Sequence, residues 1–329
     1  MSELEAPFAT LTPEHLLDAL EAIGLDCDGS VLALNSYENR VFQVGIHDGP
    51  PVVAKFYRPG RWSDAAIDEE HAFLAELAER EIPVVAPLAL DGRTLNSAGG
   101  FRIAVFPRRG GRAPELEDDE VLRWMGRFMA RIHAVGALRP FKHRPAINAQ
   151  TYGIDARDAV LATPYLPREL ETSWRSVVDQ ALDGVARCFD RAGPVAQIRL
   201  HGDCHAGNVL WTPDGPHFVD FDDARSGPAI QDLWMLLSGE PEQQRRQFAV
   251  VLEGYRQFHD FNPAERHLAE ALRTLRLIHY AAWIAQRWHD PAFPHAFSWF
   301  DSPRYWQDHI LNLREQIALM DEPPLIQAR

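Results

Sequence analysis

The sequence predicts an α+β protein with two lobes, a small lobe built on an antiparallel sheet followed by a larger lobe that is mostly helical. Three observations predict it. Short runs rich in β-branched and aromatic residues fill residues 31–56, and apolar residues recur at helical spacing beyond residue 120. A stretch that contains glycines and prolines, from Pro107 to Pro114, separates the β-like pattern from the helical one. The length of 329 residues agrees with two lobes, because one domain commonly has roughly 100–200 residues.

The first lobe begins with a helix. Thr12 and Pro13 form a helix start signal, a capping residue followed by a proline at the first helical position, and Gly24 is a stop signal. Three β-like runs follow, VLAL, RVFQVGI and PVVAKFY, and their polar connections predict an antiparallel meander. Ser63 can cap a second helix that continues to about Arg80, and the runs VVAPLAL and GFRIAVF predict two further strands.

The second lobe is predicted to be helical, and the boundary at residue 107 gives lobes of residues 1–107 and 108–329. Apolar spacing predicts helices over about 121–132, 172–192, 241–259 and 263–289. Residues 197–222, QIRLHGDCHAGNVLWTPDGPHFVDFD, form a non-helical island among them. We expect the apolar runs NVLW and HFVDF of this island to pair as a hairpin around the turn TPDG.

Charge and composition exclude several classes of protein. The chain has 33 basic and 47 acidic residues, a formal charge of -14, which argues against nucleic acid or an anionic membrane as the main partner. The beginning MSELEAPFATLTPEH has neither the basic nor the apolar region of a secretory signal, and no stretch approaches the roughly 18 apolar residues of a membrane span. Three cysteines far apart in the chain predict free thiols. We expect a cytoplasmic monomer.

The island carries a group of polar residues with a defined spacing. His201, Asp203 and Asn208 have the H-x-D-x-x-x-x-N spacing of a kinase catalytic loop, and Asp220 follows the second run of the expected hairpin. The hairpin would bring Asp203, Asn208 and Asp220 together. Carboxylate and amide oxygens are hard ligands of the kind that Mg²⁺ prefers. The sequence therefore predicts a site for a metal ion and a phosphate group.

Two residues of the first lobe complete the parts that phosphoryl transfer requires. Lys55 lies on the predicted strand VVAKF, similar to the V-A-I-K strand of kinases, and Glu70 lies on the next predicted helix. A strand lysine, a helix glutamate, a catalytic acid, an amide and a metal-binding acid occur in this order in kinases. The order predicts an enzyme that transfers a phosphoryl group.

These motifs resemble the aminoglycoside and choline phosphotransferase branch of the protein-kinase-like fold. The resemblance is carried by LNSYENRV from Leu34, VVAKFYRP from Val52, HGDCHAGN from His201, VDFDDARSGPAIQDLW from Val219 and WHDPAFP from Trp288. It covers nearly the whole chain. Within that branch, these motifs are similar to those of bacterial serine/threonine protein kinases of the stress response.

The resemblance implies a function and roles for residues of the second lobe. It implies a kinase that depends on ATP and Mg²⁺, transfers the γ-phosphate to serine or threonine hydroxyls, and protects the cell from death during envelope and oxidative stress. Its partners are then ATP and the acceptor proteins. Asp203 would be the catalytic base, and Asn208 and Asp220 would bind Mg²⁺, with Asp220 also counted as catalytic. Residues 108–329 would form the catalytic and acceptor lobe.

The resemblance also implies how the first lobe, residues 1–107, binds the nucleotide. Lys55 would contact the α- and β-phosphates of ATP and be held by an ion pair with Glu70. Ser36 would lie in the loop that covers the phosphates. This loop lacks G-x-G-x-x-G, so we expect side-chain hydroxyl and amide groups to contribute to phosphate binding.

Two alternative functions remain open. A small-molecule phosphotransferase for an amino alcohol, a sugar or an aminoglycoside would use the same residues, and an inactive ATP-binding scaffold would keep the fold without turnover. The sequence leaves open the substrate, the phosphosite, the number of Mg²⁺ ions and autophosphorylation.

Secondary hypotheses concern single residues. Cys204 is either an oxidation sensor or a small buried residue, and we favour burial. Asp232 either accepts amides of the catalytic loop or is an ordinary acid in a first helical turn. Six basic and aromatic residues recur at helical spacing and either pack in the core or line the acceptor site. They are Arg273, Arg276, Tyr280, Trp283, Arg287 and Trp288.

Overall fold

The computed structural model of the protein describes residues 7–324. Its helices and strands, in chain order, are α1 (Pro13–Ala22), β1 (Cys27–Ala33), β2 (Arg40–Ile46), β3 (Val52–Phe56), α2 (Asp64–Glu79), β4 (Asn96–Ala98), β5 (Phe101–Pro107), α3 (Asp119–Gly136), α4 (Asp155–Leu161), α5 (Arg168–Ala192), β6 (Ile198–Leu200), β7 (Val209–Thr212), β8 (Gly215–Phe218), β9 (Arg225–Gly227), α6 (Ile230–Trp234), α7 (Pro241–Tyr255), α8 (Ala269–Arg287), α9 (Ala292–Ala296) and α10 (Pro303–Asp321). The chain divides into two units. Unit 1 consists of the chain up to Pro114 with Lys142–Arg144 and Gly207–Asp222, and unit 2 consists of the remaining residues.

A five-stranded antiparallel sheet forms the centre of unit 1, with the strand order β1-β2-β3-β5-β4. Successive side chains along β3 point to opposite faces of the sheet. Ala54 and Phe56 belong to the apolar core that α1 covers, so Lys55 between them points to the other face. Lys55 is paired with Val41 on one side and Ala104 on the other, which places it in the middle of the sheet.

The β7–β8 hairpin also belongs to unit 1 and confirms the expected pairing around the TPDG turn, since Val209 pairs with Phe218 and Thr212 with Gly215. The strand predicted for VVAPLAL is wrong. That run makes single bridges, at Val84 to Phe218 and at Leu90 to Arg93. Pro87 interrupts it and has no amide hydrogen for a ladder, which explains why a run of suitable residues does not form a strand.

Unit 2 is mostly helical. The helices α5, α8 and α10 enclose a core that includes Trp174, Ile278 and Trp306. The helices α3 and α7 approach closely because glycines face the partner backbone, and a Cβ on Gly126 or Gly254 would collide with a main-chain carbonyl. The short strands β6 and β9 pair with each other. The predicted helical stretches correspond to α3, α5, α7 and α8, although a 3-10 turn, Pro263–Leu268, precedes α8.

The predicted α+β class is therefore confirmed, with an antiparallel sheet followed by a mostly helical part. The lobe boundary at residue 107 stays a prediction. Between residues 7 and 324, each helix is too short or too polar to pass through a lipid bilayer.

Candidate active site

Unit 1 contains a cavity of about 380 Å³ that has apolar walls and a charged end. Its apolar lining comes from the sheet, α2, the hairpin and the connections next to them, and includes Leu34, Val41, Val53, Leu74, Val85, Phe106, Leu210, Val219 and Phe221. Ser36, Lys55, Glu70, Asn208 and Asp220 line the same cavity. The structure thus brings together five of the six predicted site residues. The sixth, Asp203, belongs to unit 2.

The ammonium group of Lys55 is held by two carboxylates. Its Nζ atom lies 2.8 Å from Asp222 Oδ1 and 3.5 Å from Asp220 Oδ1. Burial alone would lower the pKa of Lys55, but the nearby Glu70 and Asp220 carboxylates outweigh burial and raise that pKa. Lys55 is therefore charged at neutral pH.

Glu70 has a different partner from the predicted one. Its carboxylate lies 2.7 Å from the guanidinium of Arg144, and both side chains are buried. Within residues 7–324, the predicted ion pair between Lys55 and Glu70 is not formed, because Asp222 takes the lysine and Arg144 takes the glutamate. Glu70 acts on Lys55 only through space, by raising its pKa.

Arg144 ties α2 to the segment that follows the hairpin. Its Nε atom donates to the carbonyl oxygen of Ala66 at 2.8 Å, and Nη1 donates to that of Asp222 at 3.0 Å. Its guanidinium also lies over the ring of Trp62, 4.6 Å from the centroid. The adjacent Glu69 accepts three successive amides of residues 142–144, at 2.7–3.1 Å. The loop that carries Arg144 is thus fixed to α2.

Side chains stabilise the loop that contains Ser36. The Ser36 hydroxyl donates to the carbonyl oxygen of Asn39 at 3.2 Å, and the Asn39 side chain accepts the amide of Arg58 at 3.0 Å. Glu38 pairs with Arg58 at 3.0 Å, and Arg61 contacts both Glu38 and Asp222. Asn39, Glu38 and two arginines therefore hold a loop that has no glycine-rich motif.

Asn208 and Asp220 lie on either side of the hairpin. The amide of Val219 donates to the carbonyl oxygen of Asn208 at 3.0 Å, which joins the two ends of the hairpin. Asp220 has a backbone φ of +59°, in the left-handed region that residues other than glycine seldom adopt. Such conformations cluster at functional sites. The Asp220 side chain is 57% exposed, so its carboxylate is accessible.

In unit 2, one buried carboxylate holds the H-G-D turn, residues His201–Asp203. Asp232 accepts the amide of His201 at 3.0 Å and the amide of Gly202 at 2.9 Å. Gly202 has a φ of +85°, and a Cβ there would collide with the carbonyl oxygen of Asp223. The turn therefore requires glycine at this position. The expected contact between Asp232 and main-chain amides of the H-G-D turn is confirmed.

Two further buried groups extend this network. His133 Nε2 lies 3.0 Å from Asp232 Oδ2, and His133 Nδ1 lies 2.9 Å from the hydroxyl of Tyr255. The ring can then donate a hydrogen bond from Nε2 to the carboxylate and accept one from the Tyr255 hydroxyl at Nδ1. All three side chains are inaccessible to solvent. The position of the turn is thus set by contacts deep in unit 2.

The carboxylate of Asp203 lies between two cationic or potentially cationic side chains. Arg276 Nη2 is 2.7 Å from Oδ1, and His205 Nε2 is 3.6 Å from Oδ2. The Asp203 side chain is 21% exposed, although its Oδ1 atom is buried. Both of these neighbours are basic side chains.

Cys204, next to Asp203, is fully buried. Burial raises the pKa of its thiol well above the usual range, and the Asp232 and Asp203 carboxylates add to the effect. Because the thiolate is the reactive form of cysteine, this environment favours the interpretation of Cys204 as an inert buried residue.

The basic and aromatic set on and after α8 is divided between core and surface. Trp283 and Trp288 pack against the buried core, and Arg273 pairs with Glu270 at 3.2 Å. Arg276 and Tyr280 differ, since their side chains are 35% and 38% exposed. Core packing therefore describes the two tryptophans, whereas Arg276 is the member of the set that contacts Asp203.

The sequence patterns did not identify three residues that shape the site, Arg144, His133 and Tyr255. Arg144 lies in a loop without periodic pattern, so no sequence signal identified it. His133 carried a signal, because it continues the buried face of α3 formed by Met125 and Met129 at steps of four residues. Tyr255, at the end of α7, carried none beyond its helical spacing.

Comparison with known proteins places the chain among its relatives. It is 44% identical over 325 residues to Stress response kinase A of Salmonella choleraesuis (strain SC-B67) and to Serine/threonine protein kinase RdoA of Salmonella typhimurium, covering 99% of this chain and 98% of each relative. The solved structure of amicoumacin kinase hAmiN in complex with AMP-PNP, Ca²⁺ and Ami is similar in fold, with a TM-score of 0.74, 19% identity, and coverage of 96% of this chain and 95% of that one. Residues 30–268 match the Phosphotransferase enzyme family. The chain belongs to this family and is an ATP-dependent phosphotransferase.

Proposed function

We propose that the chain is a protein kinase of the bacterial stress response that depends on ATP and Mg²⁺ and phosphorylates serine and threonine residues. One observation carries the proposal. Lys55, Asn208 and Asp220 line one cavity, in a chain 44% identical to relatives named as a serine/threonine protein kinase and as stress response kinases. In this proposal residues 1–107 bind the nucleotide, and residues 108–329 carry the catalytic and acceptor groups.

The cavity of unit 1 suits a nucleotide. Its apolar walls would bury the base, and the charged end would take the phosphates, a common division in ligand pockets. Lys55 would leave Asp222 to contact the α- and β-phosphates. Ser36 would contribute its hydroxyl from the covering loop, and Glu70 would keep Lys55 charged.

The donor set at the hairpin fits Mg²⁺. Asn208 offers an amide oxygen and Asp220 an accessible carboxylate, both hard ligands that leave positions for water and phosphate oxygens. When bound, Mg²⁺ would neutralise the charge that develops on the phosphates. Asp220 would be positioned for this task by its constrained backbone, and it would also attract Lys55 toward the phosphates.

Asp203 would orient the acceptor hydroxyl. As the bond between the hydroxyl oxygen and the γ-phosphorus forms, the bond from that phosphorus to the leaving oxygen of ADP breaks, and Asp203 takes the hydroxyl proton. Positioning would supply most of the rate acceleration in such a reaction. The Asp232 network would hold the Asp203 backbone by fixing the two preceding amides.

The neighbours of Asp203 bear on the choice of acceptor. An amino alcohol or an aminoglycoside would bring positive charge to a carboxylate that already faces Arg276 and His205. Like charges placed together cost binding energy. This favours a protein acceptor over a cationic small molecule, and leaves a neutral sugar as the small-molecule acceptor to be tested.

Transfer of labelled γ-phosphate from Mg-ATP tests the proposal. The acceptors are the protein itself, generic basic and acidic proteins, and a panel of sugars and amino alcohols. We expect label on serine or threonine, and a loss of about 10²–10⁴-fold in Asp203→Ala with unchanged ATP affinity. The matched control is Asp214→Ala, at an exposed acid of the TPDG turn. Label on a small molecule alone, or tight ATP binding without transfer, would contradict the proposal.

The nucleotide site has a separate test, because the chain contains only two lysines, Lys55 and Lys142. An ATP analogue with a lysine-reactive phosphate group should label Lys55, and free ATP should compete. Lys142 is exposed and serves as the internal control. Equal labelling of both lysines, insensitive to ATP, would remove Lys55 from the nucleotide site.

A further inference from the structure

The surroundings of Asp203 contain a feature that phosphoryl transfer does not itself require. Its carboxylate is paired with Arg276 at 2.7 Å, and His205 lies at 3.6 Å. The chain as a whole is strongly acidic, with a formal charge of -14. A guanidinium beside the proposed base is thus a local departure from the charge of the molecule, at the place where an acceptor hydroxyl must arrive.

Arg276 has capacity for a second partner. Its guanidinium carries five N–H donors in a planar fork, more than one carboxylate oxygen can use. Its side chain is 35% exposed, so part of the fork faces solvent. Arg273, one turn earlier on α8, is different, because it is braced by Glu270 at 3.2 Å and lies over the ring of Trp234. Arg276 is therefore the arginine of this pair that an incoming chain can contact.

The ion pair also weakens Asp203 as an acceptor. The guanidinium holds the buried Oδ1 atom, so an incoming hydroxyl must donate to Oδ2 of a carboxylate whose negative charge Arg276 partly offsets. An acidic group that arrives with the hydroxyl would bind the exposed side of Arg276 and draw it away from Asp203. A basic group would be repelled and would leave the pair intact.

We propose that Arg276 recognises an aspartate or glutamate beside the acceptor residue, so that the preferred substrates are serine or threonine segments flanked by acidic residues. This inference rests on the proposed function as a protein kinase. In this proposal Arg276 selects the substrate, and its ion pair with Asp203 limits phosphate transfer until an acidic segment binds.

The test compares peptides that differ only in the residues flanking one serine, which are aspartate, alanine or lysine. We expect the intact protein to show a kcat/KM about tenfold higher for the aspartate peptide than for the lysine peptide. Arg276→Gln should abolish the difference, Arg276→Glu should reverse it, and Arg276→Lys should retain it in part. The KM for ATP should stay unchanged in all of them.

Arg304→Glu is the matched control, the same reversal of charge at a side chain of unit 2 that is 91% exposed, and it should keep the preference of the intact protein. Urea midpoints for every variant show whether each remains folded. A preference that survives in Arg276→Gln, or an equal fall in transfer to all three peptides, would overturn the inference while protein kinase activity remains. Failure of the intact protein to phosphorylate any protein or peptide would instead overturn the proposed function, and this inference with it.

Discussion

The two units hold their parts of the proposed active site by different physical means. In unit 1, the charged side chains at the cavity hold one another: Lys55 is paired with Asp222, and Glu70 with Arg144. The amides that Glu69 accepts belong to residues 142–144, which do not line the cavity. In unit 2, a single buried carboxylate, Asp232, holds main-chain amides. Ion pairs beside a cavity can exchange partners when a phosphate or a metal ion arrives. Buried amide contacts have no such alternative, so unit 2 provides a fixed frame and unit 1 a set of charges ready to rearrange.

The largest effect is expected from breaking the fixed frame. Asp232→Ala leaves two buried amides and His133 without their acceptor, and each unsatisfied buried group costs about 1–3 kcal/mol. We expect a loss of about 3–5 kcal/mol in the free energy of unfolding, measured by urea denaturation. Phosphate transfer should fall by at least about 100-fold, because the Asp203 backbone loses its position.

Asp232→Asn provides the graded comparison, since it keeps one acceptor oxygen and should lose less stability. Asp308→Ala removes an exposed acid of the same unit and should change the free energy of unfolding by less than about 0.5 kcal/mol. Normal stability in Asp232→Ala would show that the amide contacts are replaceable, and the distinction between the units would be lost.

The second effect concerns the buried ion pair of unit 1. Arg144→Met leaves Glu70 buried and uncompensated, which should cost about 3–5 kcal/mol in the free energy of unfolding. The double variant Glu70→Leu with Arg144→Met removes both charges and should recover much of that loss, because apolar residues of similar volume can replace a buried pair. Urea denaturation of the four proteins of this cycle gives the coupling energy.

The exposed Arg80→Met, at the end of the same helix α2, is the control and should cost less than about 1 kcal/mol. If the double variant is no more stable than Arg144→Met alone, then the contacts of Arg144 with main-chain carbonyls, rather than the charge of Glu70, explain the effect.

The difference between the units also explains what the sequence could predict. The spacing of His201, Asp203 and Asn208, and the hairpin that follows, are local in the chain, so motif and turn signals located them. The run VVAKF likewise predicted that Lys55 lies on a strand, and the structure places it on β3. The pair of Glu70 and Arg144 joins residues 74 positions apart. Choosing that partner among several arginines requires the packed structure.

Some errors had local causes. Pro87 prevented a strand in a run that is otherwise rich in β-forming residues. The helix α10 was not among the predicted helices, although Ser302 and Pro303 form the same start signal as Thr12 and Pro13. The residues proposed for phosphoryl transfer can therefore be predicted from the sequence, whereas most of the residues that position them cannot.

A pH titration of stability sharpens the comparison, because each unit contains a buried neutral histidine. Burial lowers the pKa of His71 in unit 1 and of His309 in unit 2 to about 4. In the unfolded chain histidine titrates near 6.5, so below that pH the unfolded state binds protons that the folded state does not. Stability should be fully present above pH 6.5 and should fall as the pH drops toward about 4.

Urea denaturation between pH 7.5 and 4.5 measures this loss. His71→Gln and His309→Gln should each make the pH dependence less steep, while His289→Gln, at an exposed position, should leave it unchanged. A free energy of unfolding that is flat across this range would mean that neither histidine is held neutral. A change in only one of the two buried variants would show that the units respond differently to acid.

The smallest effect is expected at Cys204, beside the proposed base. Its thiol is fully buried and its pKa is raised by burial, so very little thiolate is available to react with peroxide. Cys204→Ser should therefore keep transfer within about twofold, and peroxide should inactivate both proteins at the same rate. Protection of the Cys204→Ser variant would show that the H-G-D turn opens far enough to expose the thiol. Such opening would contradict the fixed frame that Asp232 gives to unit 2. The part of the proposed site that moves would then be the H-G-D turn rather than the ion pairs of unit 1.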